Sequence, residues 1–288
     1  MEWLEVIVNG LMLGGLYGLF GLGLALVFGV MRVVNLSHGE FIVLAAYGGV
    51  FLASMLPQVP PLLFVIPVAG AAFVVGYALQ ALLVSRAVRS GDPLTPLMMT
   101  FGIAVILRNL MAEFFGADPR ALDGGAFTSA GISVFGLRIG LSPAFVLALA
   151  ILIFGVLQWV FRHTEFGRIV RATSDNPQVV RLMGVEPRRV FNIVMGLSLA
   201  FAAVAGLLLA LRTSFTPFSG AERLLVAFEV VILGGLGSFW GALIGGMALG
   251  VAQLLGQKFD PNAGALYAHL LFFVVLMLRP SGLAGGKA

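Results

Sequence analysis

Polar groups that could bind a solute are concentrated in NLSHGEF, residues 35–41, between two long apolar stretches. An imidazole and a carboxylate inside an apolar span normally face a polar interior or a water-filled cavity rather than lipid. Amide, hydroxyl and imidazole groups can donate and accept hydrogen bonds, which suits a zwitterionic or amide solute. We therefore predict that this segment lines a solute pathway through five residues: Asn35, Ser37, His38, Gly39 and Glu40.

The spacing from Ser37 to Glu40 is that of a capping box, in which a hydroxyl and a carboxylate satisfy free N–H groups at a helix start. This spacing predicts that a helix begins near residue 38, with its positive dipole end suited to an anion or a carboxylate. In this interpretation Glu40 is mainly a cap, and Gly39 keeps the backbone open. His38 is the stronger candidate for function, because an imidazole in an apolar span normally faces a polar interior.

A second break, LGGLGSFWGALIGG, lies late in the chain and has the same construction. Gly234, Gly235 and Gly237 loosen the backbone there. Ser238 is available as a helix cap. Interruptions in two parts of a transporter point to its transport site. The alternative is that both breaks are ordinary connections with good caps, which need no ligand.

Glu229, in VAFEVVILGG, is a further carboxylate inside an apolar stretch, and we count it with the candidate pathway. The sequence shows no evident partner, although Arg223 is a possible one. The alternative is that Glu229 lies at the interface end of its segment. Arg108 and Asn109 are interpreted as the outer end of a helix, and His269 as a residue near a helix start. No chemistry is assigned to these three residues.

The elements that must position these residues are membrane helices. Of the 288 residues, 60% are hydrophobic and only 10% are charged, against roughly 25% charged in soluble domains. Stretches long enough to cross a bilayer recur at approximately 6–31, 41–56, 61–84, 94–115, 141–161, 191–213, 224–255 and 265–278. We predict an all-α, polytopic transmembrane bundle of about eight segments, some broken or re-entrant, that forms one integral-membrane domain over residues 1–288. Glycines four residues apart, such as Gly14 and Gly18 or Gly246 and Gly250, predict close helix packing.

Basic residues indicate the orientation of the bundle. The longest polar interval, about residues 162–190, carries six arginines, and the positive-inside rule places it in the cytoplasm. Arg86 and Arg89 mark a second basic loop on the same side. The interval between residues 115 and 140 therefore falls outside.

The sides of the two chain ends stay open at this point. If 41–56 is a full pass, the N-terminus lies outside, and if 31–56 is a hairpin, it lies inside. Arg279 and Lys287 favour an inside C-terminus, which requires 224–255 to enter and leave on the outer side as a broken hairpin.

The loop segment TSDNPQVVRLMGVEPRR predicts a short cytoplasmic helix. Ser174 or Asp175 would cap it, with Pro177 in the first turn. Gly184 would end it. Its apolar face would consist of Val179, Val180, Leu182 and Met183. A solvated loop does not need such a face, so this rod of roughly 10 Å is predicted to dock into a groove on another protein, or alternatively to lie on the membrane surface.

Several kinds of chemistry have no motif in this sequence. No G-x-x-x-x-G-K-[ST] stretch is present, so the chain does not bind ATP through a P-loop of its own. No H-E-x-x-H, G-x-S-x-G or cluster with metal-ligand spacing is present, and there are no cysteines for disulfides or thiolate metal sites. The net charge of +4 does not imply nucleic acid in a chain this apolar. We therefore expect no enzyme activity, no metal site and no cofactor in this chain.

Three stretches in this order resemble the LivH-type permease subunit of branched-chain amino-acid ABC importers: MRVVNLSHGEFIVLAAY, RATSDNPQVVRLMGVEPRRV, and VILGGLGSFWGALIGG with the terminal LRPSGL. The likeness extends over nearly the whole chain. It implies a multi-pass protein of the bacterial inner membrane, surrounded by lipid, that acts with a second, LivM-like permease subunit. A periplasmic binding protein would deliver the substrate. Two cytoplasmic ATPases, which bind ATP and Mg, would drive alternating access through a coupling helix in each permease.

The resemblance also implies roles for particular residues. The coupling helix would consist of Asp175, Asn176, Pro177, Val180, Arg181, Leu182, Met183 and Gly184. The breaks at 35–40 and 234–238 would lie on or near the translocation path. The implied cargo is branched-chain or related small amino acids, while amides, urea and aromatic acids stay open. The alternative is a self-contained, ion-coupled secondary transporter or channel, which would be expected to hold several intramembrane acids, whereas Glu40 and Glu229 are the only deep candidates.

Overall fold

The computed structural model describes residues 2–88, 91–92, 94–134 and 137–284, and these are mostly helical. Arg89 and Lys287, which entered the orientation argument, lie outside the described residues. Within the described part, seven helices are long and apolar enough to cross a membrane. They are Glu2–Met31, His38–Met55, Pro61–Val88, Leu94–Phe115, Leu141–His163, Pro187–Arg212 and Phe239–Phe259. The prediction of an all-α polytopic bundle is confirmed.

The α-helices are numbered in chain order. They are α1 (Glu2–Met31), α2 (His38–Met55), α3 (Val65–Leu79), α4 (Ser85–Val88), α5 (Leu94–Phe115), α6 (Ala126–Ser129), α7 (Leu141–His163), α8 (Glu165–Asp175), α9 (Pro177–Leu182), α10 (Pro187–Arg212), α11 (Gly220–Gly234), α12 (Phe239–Phe259) and α13 (Gly264–Leu278). The span containing α3 and α4 also includes a 3₁₀ turn, Pro61–Phe64, and a π-helical turn, Gln80–Val84. Another 3₁₀ turn, Pro217–Ser219, precedes α11.

Two features depart from a plain set of long helices. A small antiparallel hairpin, β1 (Gly131–Val134) and β2 (Leu137–Gly140), interrupts the otherwise helical chain. The stretch predicted as a broken hairpin at 224–255 is indeed two helices, α11 and α12. At 15 residues each, α11 and α13 are about 22 Å long, shorter than the roughly 30 Å hydrocarbon core, so each is a short crossing element.

α1 lies at the centre of the bundle and packs against α12 through glycines. A Cβ atom on Gly10 would lie only 2.6 Å from the Val251 Cα atom. A Cβ on Gly14 would overlap the backbone of Met247, and one on Gly246 would lie 2.5 Å from the Gly18 nitrogen. Any side chain at these positions would force the two helices apart. The predicted close packing through glycines four residues apart is confirmed.

Contacts with the arginine-rich interval orient the bundle. The Ser174 hydroxyl, at the end of α8, donates a hydrogen bond of 2.9 Å to the Gly29 carbonyl near the end of α1. The end of α1 therefore lies on the cytoplasmic side, if residues 162–190 are cytoplasmic as the positive-inside rule indicates. Its beginning lies on the other side, where Glu2 forms an ion pair with Lys258. The N-terminus is thus external, and α2 and α5 both run outward.

The C-terminal segment returns to the cytoplasmic side. The backbone N–H of Leu283 donates to the carbonyl of Leu233 at the end of α11, with 2.7 Å between nitrogen and oxygen. This contact agrees with the predicted inside C-terminus and with α11 and α12 as an inward and an outward pass. The Pro61–Val88 and Leu94–Phe115 spans lie at the outside of the bundle. In the most apolar 18-residue stretch of each span, only 22% is buried. Lipid or another membrane subunit must cover these apolar faces.

Candidate functional site

The first break returns the chain into the bundle before α2 begins. α1 ends at Met31, and residues 32–37 are non-helical. The Nε2 atom of His38 then lies 3.0 Å from the carbonyl oxygen of Phe20, eleven residues before the end of α1 and thus about 16 Å back along it. The prediction that a helix begins near residue 38 is confirmed, and it begins at membrane depth.

The predicted capping box is wrong. Ser37 already has helical torsions, φ −83° and ψ −2°, and its side chain caps no N–H group of α2. Instead its hydroxyl donates to the Asn35 side-chain oxygen at 2.6 Å, and its backbone N–H donates to the same oxygen at 3.0 Å. Asn35 thus organises the turn, as Asx residues commonly do. Glu40 does not reach back to the cap, because it has a cationic partner elsewhere.

That partner is Arg108, on α5. The Arg108 Nη2 and Nε atoms both donate to the Oε1 atom of Glu40, at 2.6 and 3.1 Å. Glu40 is only 2% exposed and its Oε2 atom has no hydrogen-bond partner, whereas the Arg108 side chain is 32% exposed. The interpretation of Arg108 as a mere helix end is therefore wrong: it compensates a buried carboxylate, which would otherwise be strongly destabilising.

The other polar groups of the first break are enclosed by protein. Asn35, Ser37 and His38 are at most 1% exposed. The imidazole lies against Gly23 of α1, and the nearby Ser198 hydroxyl of α10 donates to the Gly23 carbonyl at 2.7 Å. Cavities of about 720, 390 and 350 Å³ in the described part of the chain have linings that do not include residues 35–40. The pathway role of these residues stays a prediction.

Gly39 has a different role from the predicted one. It lies within the first turn of α2, and a Cβ at this position would overlap the carbonyl oxygen of Gly220, the first residue of α11. A Cβ on Gly220 would in turn overlap the Glu40 carboxylate. The two glycines therefore allow the starts of α2 and α11 to meet around Glu40, and Gly39 does not serve to keep the backbone open.

The second break has the predicted construction. Gly235 and Gly237 adopt φ angles of +95° and +83°, which favour glycine. Gly234 ends α11, and a Cβ there would overlap the backbone of Gly241. The Ser238 hydroxyl accepts a hydrogen bond of 3.1 Å from the Gly241 N–H, so the predicted cap is confirmed.

A cavity of about 720 Å³ adjoins this second break on the cytoplasmic side. Its lining joins the end of α1, the end of α8 and the start of α12, and includes Gly29, Arg162, Arg171, Ser174, Asp175, Gly237, Ser238 and Trp240. This cavity lies directly beside the segment that leads into α9. A smaller cavity of about 350 Å³ meets the start of the first break at Arg32, Val33 and Val34, but its lining does not include residues 35–40.

Glu229 pairs with His269 rather than with Arg223. The His269 Nδ1 atom lies 2.6 Å from Glu229 Oε1, while Arg223 pairs with its neighbour Glu222 at 3.3 Å. The Glu229 side chain is 5% exposed and that of His269 is 40% exposed. Glu229 is buried among the helices, and its membrane depth stays a prediction. His269 had no local signal for this role, because it lies 40 residues away in sequence.

The predicted cytoplasmic helix exists as α9, but with a different cap. Asn176 is the N-cap: its side-chain oxygen accepts from the N–H groups of Gln178 and Val179, at 3.0 and 3.2 Å. Ser174 and Asp175 belong to the end of α8 instead. The sequence did hold a signal for this cap, because proline follows Asn176 directly and proline is favoured at the first helical position. Gly184, with φ +82°, follows the helix end as predicted.

The apolar face of α9 is divided. Val180 is only 4% exposed and packs inward, so its predicted place on the docking face is wrong. Leu182 and Met183 are 88% and 77% exposed, and Val179 is 50% exposed. Arg181 is also exposed. α9 thus packs on the bundle through Val180. Its apolar tip, Leu182 and Met183, is exposed on the side of the arginine-rich interval.

This arrangement defines a polytopic membrane protein with broken helices and an exposed cytoplasmic helix. Residues 6–279 match the profile of the family described as branched-chain amino acid transport system / permease component, and the chain belongs to that family. It is 28% identical to the high-affinity branched-chain amino acid transport system permease protein BraD of Pseudomonas aeruginosa, over 99% of this chain and 96% of that protein.

Two further relatives come from Escherichia coli. The permease protein LivH of its high-affinity branched-chain amino acid transport system is 27% identical, over 99% of this chain and 96% of LivH. The permease protein LivM of that system is also 27% identical, over 93% of this chain and 67% of LivM. No solved structure matches the chain.

Proposed function

We propose that this chain is the permease subunit of an ATP-binding-cassette importer and forms the translocation path for branched-chain or related small amino acids. The observation that carries the proposal is the likeness, over 99% of the chain, to permeases named for branched-chain amino acid transport. The chain would form one permease domain in the bacterial inner membrane. ATP and Mg would be bound by the partner ATPases, since the sequence has no P-loop.

The partners follow from two surfaces and one relative. The bare tip of α9, with Leu182 and Met183, is suited to a groove on a cytoplasmic ATPase. The apolar faces of α3 and α5 are suited to lipid and to a second permease subunit, for which the likeness to LivM suggests a heterodimer. A periplasmic binding protein would deliver substrate on the side of the β1–β2 hairpin.

We further propose that the second break acts in coupling as well as in the path. It lines the cytoplasmic cavity together with Ser174 and Asp175, which directly precede the Asn176 cap of α9. A displacement of α9 by an ATPase would therefore reach the break at 234–238 through a short, packed connection. Residues 35–40 and Glu229 would take part in the path when the helices that enclose them separate.

Co-reconstitution tests this function. The purified chain is inserted into liposomes with the second permease and the two ATPases, and uptake of radiolabelled leucine is measured with the binding protein outside and ATP inside. We expect uptake that requires ATP, both ATPases and the binding protein. Gradient-driven uptake by this chain alone would instead support the secondary-transporter alternative.

A charge at the tip of α9 tests the coupling surface. Leu182→Asp places a carboxylate where an apolar contact is proposed, and burying it unpaired costs several kcal/mol, about enough to abolish a modest interface. We expect loss of ATPase pull-down and of uptake, with the bundle still folded. Ile132→Asp is the matched control for the ATPase pull-down alone, because Ile132 is an exposed residue on the opposite side, in β1, where the binding protein and not an ATPase is proposed to dock. Normal pull-down and uptake by the Leu182→Asp protein would remove α9 from the mechanism.

A further inference from the structure

Arg108 lies at membrane depth with part of its side chain uncovered. It is 14 residues from Leu94, the inner end of α5, or about 21 Å, and about 10 Å from the outer end. Its exposed neighbours on α5 are apolar apart from one amide: Val105, Ile106, Asn109 and Leu110. A charged guanidinium against lipid chains is unfavourable, so water or protein must cover this face.

The ion pair with Glu40 leaves one edge of the guanidinium unused. Both Nε and Nη2 donate to the same carboxylate oxygen, Oε1. Among the described residues, no acceptor is bonded to the Arg108 Nη1 group. Glu40 therefore neutralises Arg108 from the buried side, while the uncovered side keeps N–H groups that can meet an anion.

Glu40 is packed closely from behind by the start of α11. The Glu40 carboxylate lies directly against Gly220, and the neighbouring Gly39 lies against the Gly220 carbonyl. The starts of α2 and α11 thus close on Glu40. A guanidinium fixed in this way is pre-organised for a planar carboxylate, which it can bind through two parallel N–H groups.

We propose that the uncovered edge of Arg108 binds the carboxylate of the amino-acid substrate during translocation, with Glu40 as the positioning residue behind it. This inference rests on the proposed function and names a substrate contact within it. Binding through one edge of an already neutralised guanidinium is weak, as a transport site requires, since cargo held tightly cannot leave. The competing arrangement is that the second permease covers Arg108, and the experiment below separates the two.

Charge-selective labelling tests the proposal in the assembled transporter, where this chain itself has no cysteine. Asn109→Cys places a thiol beside Arg108, and two methanethiosulfonate reagents of similar size are compared, one with a sulfonate and one with a trimethylammonium group. We expect both to react in at least one nucleotide state, with the sulfonate several-fold faster, because the ion pair turns its guanidinium side toward the uncovered face and its carboxylate side inward. Leucine at saturating concentration, added together with the binding protein, should slow the sulfonate reaction several-fold, because the leucine carboxylate would then occupy Arg108.

Two controls complete the experiment. The combined change Glu40→Gln and Arg108→Gln, made in the Asn109→Cys background, removes both charges without leaving one buried alone, and it should abolish the sulfonate preference. Leu152→Cys, at an exposed apolar position of α7, should stay unlabelled.

No labelling at position 109 in any state would overturn the proposal, because lipid or the second permease would then cover this face. The proposal is also overturned if the sulfonate reagent reacts no faster than the trimethylammonium reagent. The same holds if the sulfonate preference persists in the double variant or does not change when substrate is added. ATP-driven uptake by the Asn109→Cys protein is measured in the same proteoliposomes. If the proposed function is wrong, ATP-driven uptake is absent. This result is independent of the labelling, which tests the role of Arg108.

Discussion

The two breaks have a similar construction in sequence, with serine and glycine at a helix start, and different surroundings. At residues 35–40 the polar side chains are buried at membrane depth, bonded to one another, to the α1 backbone and to Arg108 of α5. At 234–238 the backbone turns through two glycines with positive φ and lines a cavity of about 720 Å³ on the cytoplasmic side. Serine, glycine and a helix start therefore do not by themselves define an aqueous site; the depth and the packing of neighbouring helices do.

α2 starts at the first break and α11 ends at the second, and the two helices share one arrangement of charged residues. α2 carries Glu40 and α11 carries Glu229, and each buried acid has a half-exposed cationic or imidazole partner on a more peripheral helix. The partner is an arginine in one case and a histidine in the other. The comparison between enclosed residues at 35–40 and an open second break can be tested by substitutions at matched positions.

The largest effect is expected from Arg108→Leu. It leaves the Glu40 carboxylate buried without a partner, which should lower the free energy of unfolding by about 3–5 kcal/mol. Unfolding in mixed detergent micelles measures this value. Arg171→Leu, at an exposed residue lining the cavity beside the second break, should change it by less than about 0.5 kcal/mol. Equal effects of the two changes would show that the breaks do not differ in burial.

A smaller effect is expected from added methyl groups. Gly39→Ala forces a Cβ atom against the Gly220 carbonyl and should destabilise the protein by about 1–3 kcal/mol, since two backbones must move apart. Gly237→Ala meets a positive φ angle and a milder approach, 3.3 Å from the new Cβ to the Gly29 Cα atom, and should cost about 1–2 kcal/mol. Thermal unfolding of the two variants compares them. A more stable Gly39→Ala protein would contradict the tight junction between α2 and α11.

Thiol accessibility compares the two breaks directly. A thiol introduced by Trp240→Cys, at the cavity, should react with a membrane-impermeant maleimide about tenfold faster than one introduced by His38→Cys, at a residue with no exposed surface. Inside-out vesicles without nucleotide give this ratio. The same measurement after addition of ATP tests whether the first break opens during the transport cycle. Equal rates without nucleotide would break the comparison, because the first break would then be open as well.

The smallest effect concerns His38 itself. His38→Leu removes the hydrogen bond to the Phe20 carbonyl, a loss of about 1 kcal/mol, and should lower the maximal uptake rate several-fold. His38→Gln should retain more activity, because its amide can donate to the same carbonyl. Uptake in proteoliposomes is compared at equal amounts of assembled transporter. Wild-type rates in both variants would make the histidine a packing residue only.

Much of the architecture follows from local patterns. The helix start at His38, the Ser238 cap, the separation of α11 from α12 and the end of α9 at Gly184 were all predictable from residues within one or two turns. The cap of α9 was misplaced because Ser174, Asp175 and Asn176 are all good caps, and only the proline directly after Asn176 separates them. Val180 was misassigned because the apolar face of a single short turn does not show which side packs on the bundle.

The sequence by itself determined the approximate positions of the apolar helices, the side of the arginine-rich interval and the presence of two breaks, while the side of the N-terminus required the contact of Ser174 with Gly29. These depend on composition, on charge in the loops and on short-range capping. Only the tertiary structure decided which charges meet, since Glu40 and Arg108 are 68 residues apart and Glu229 and His269 are 40 apart. The physical reason is that a buried charge needs a partner within a few ångströms in space, and helix packing, not sequence distance, brings that partner there.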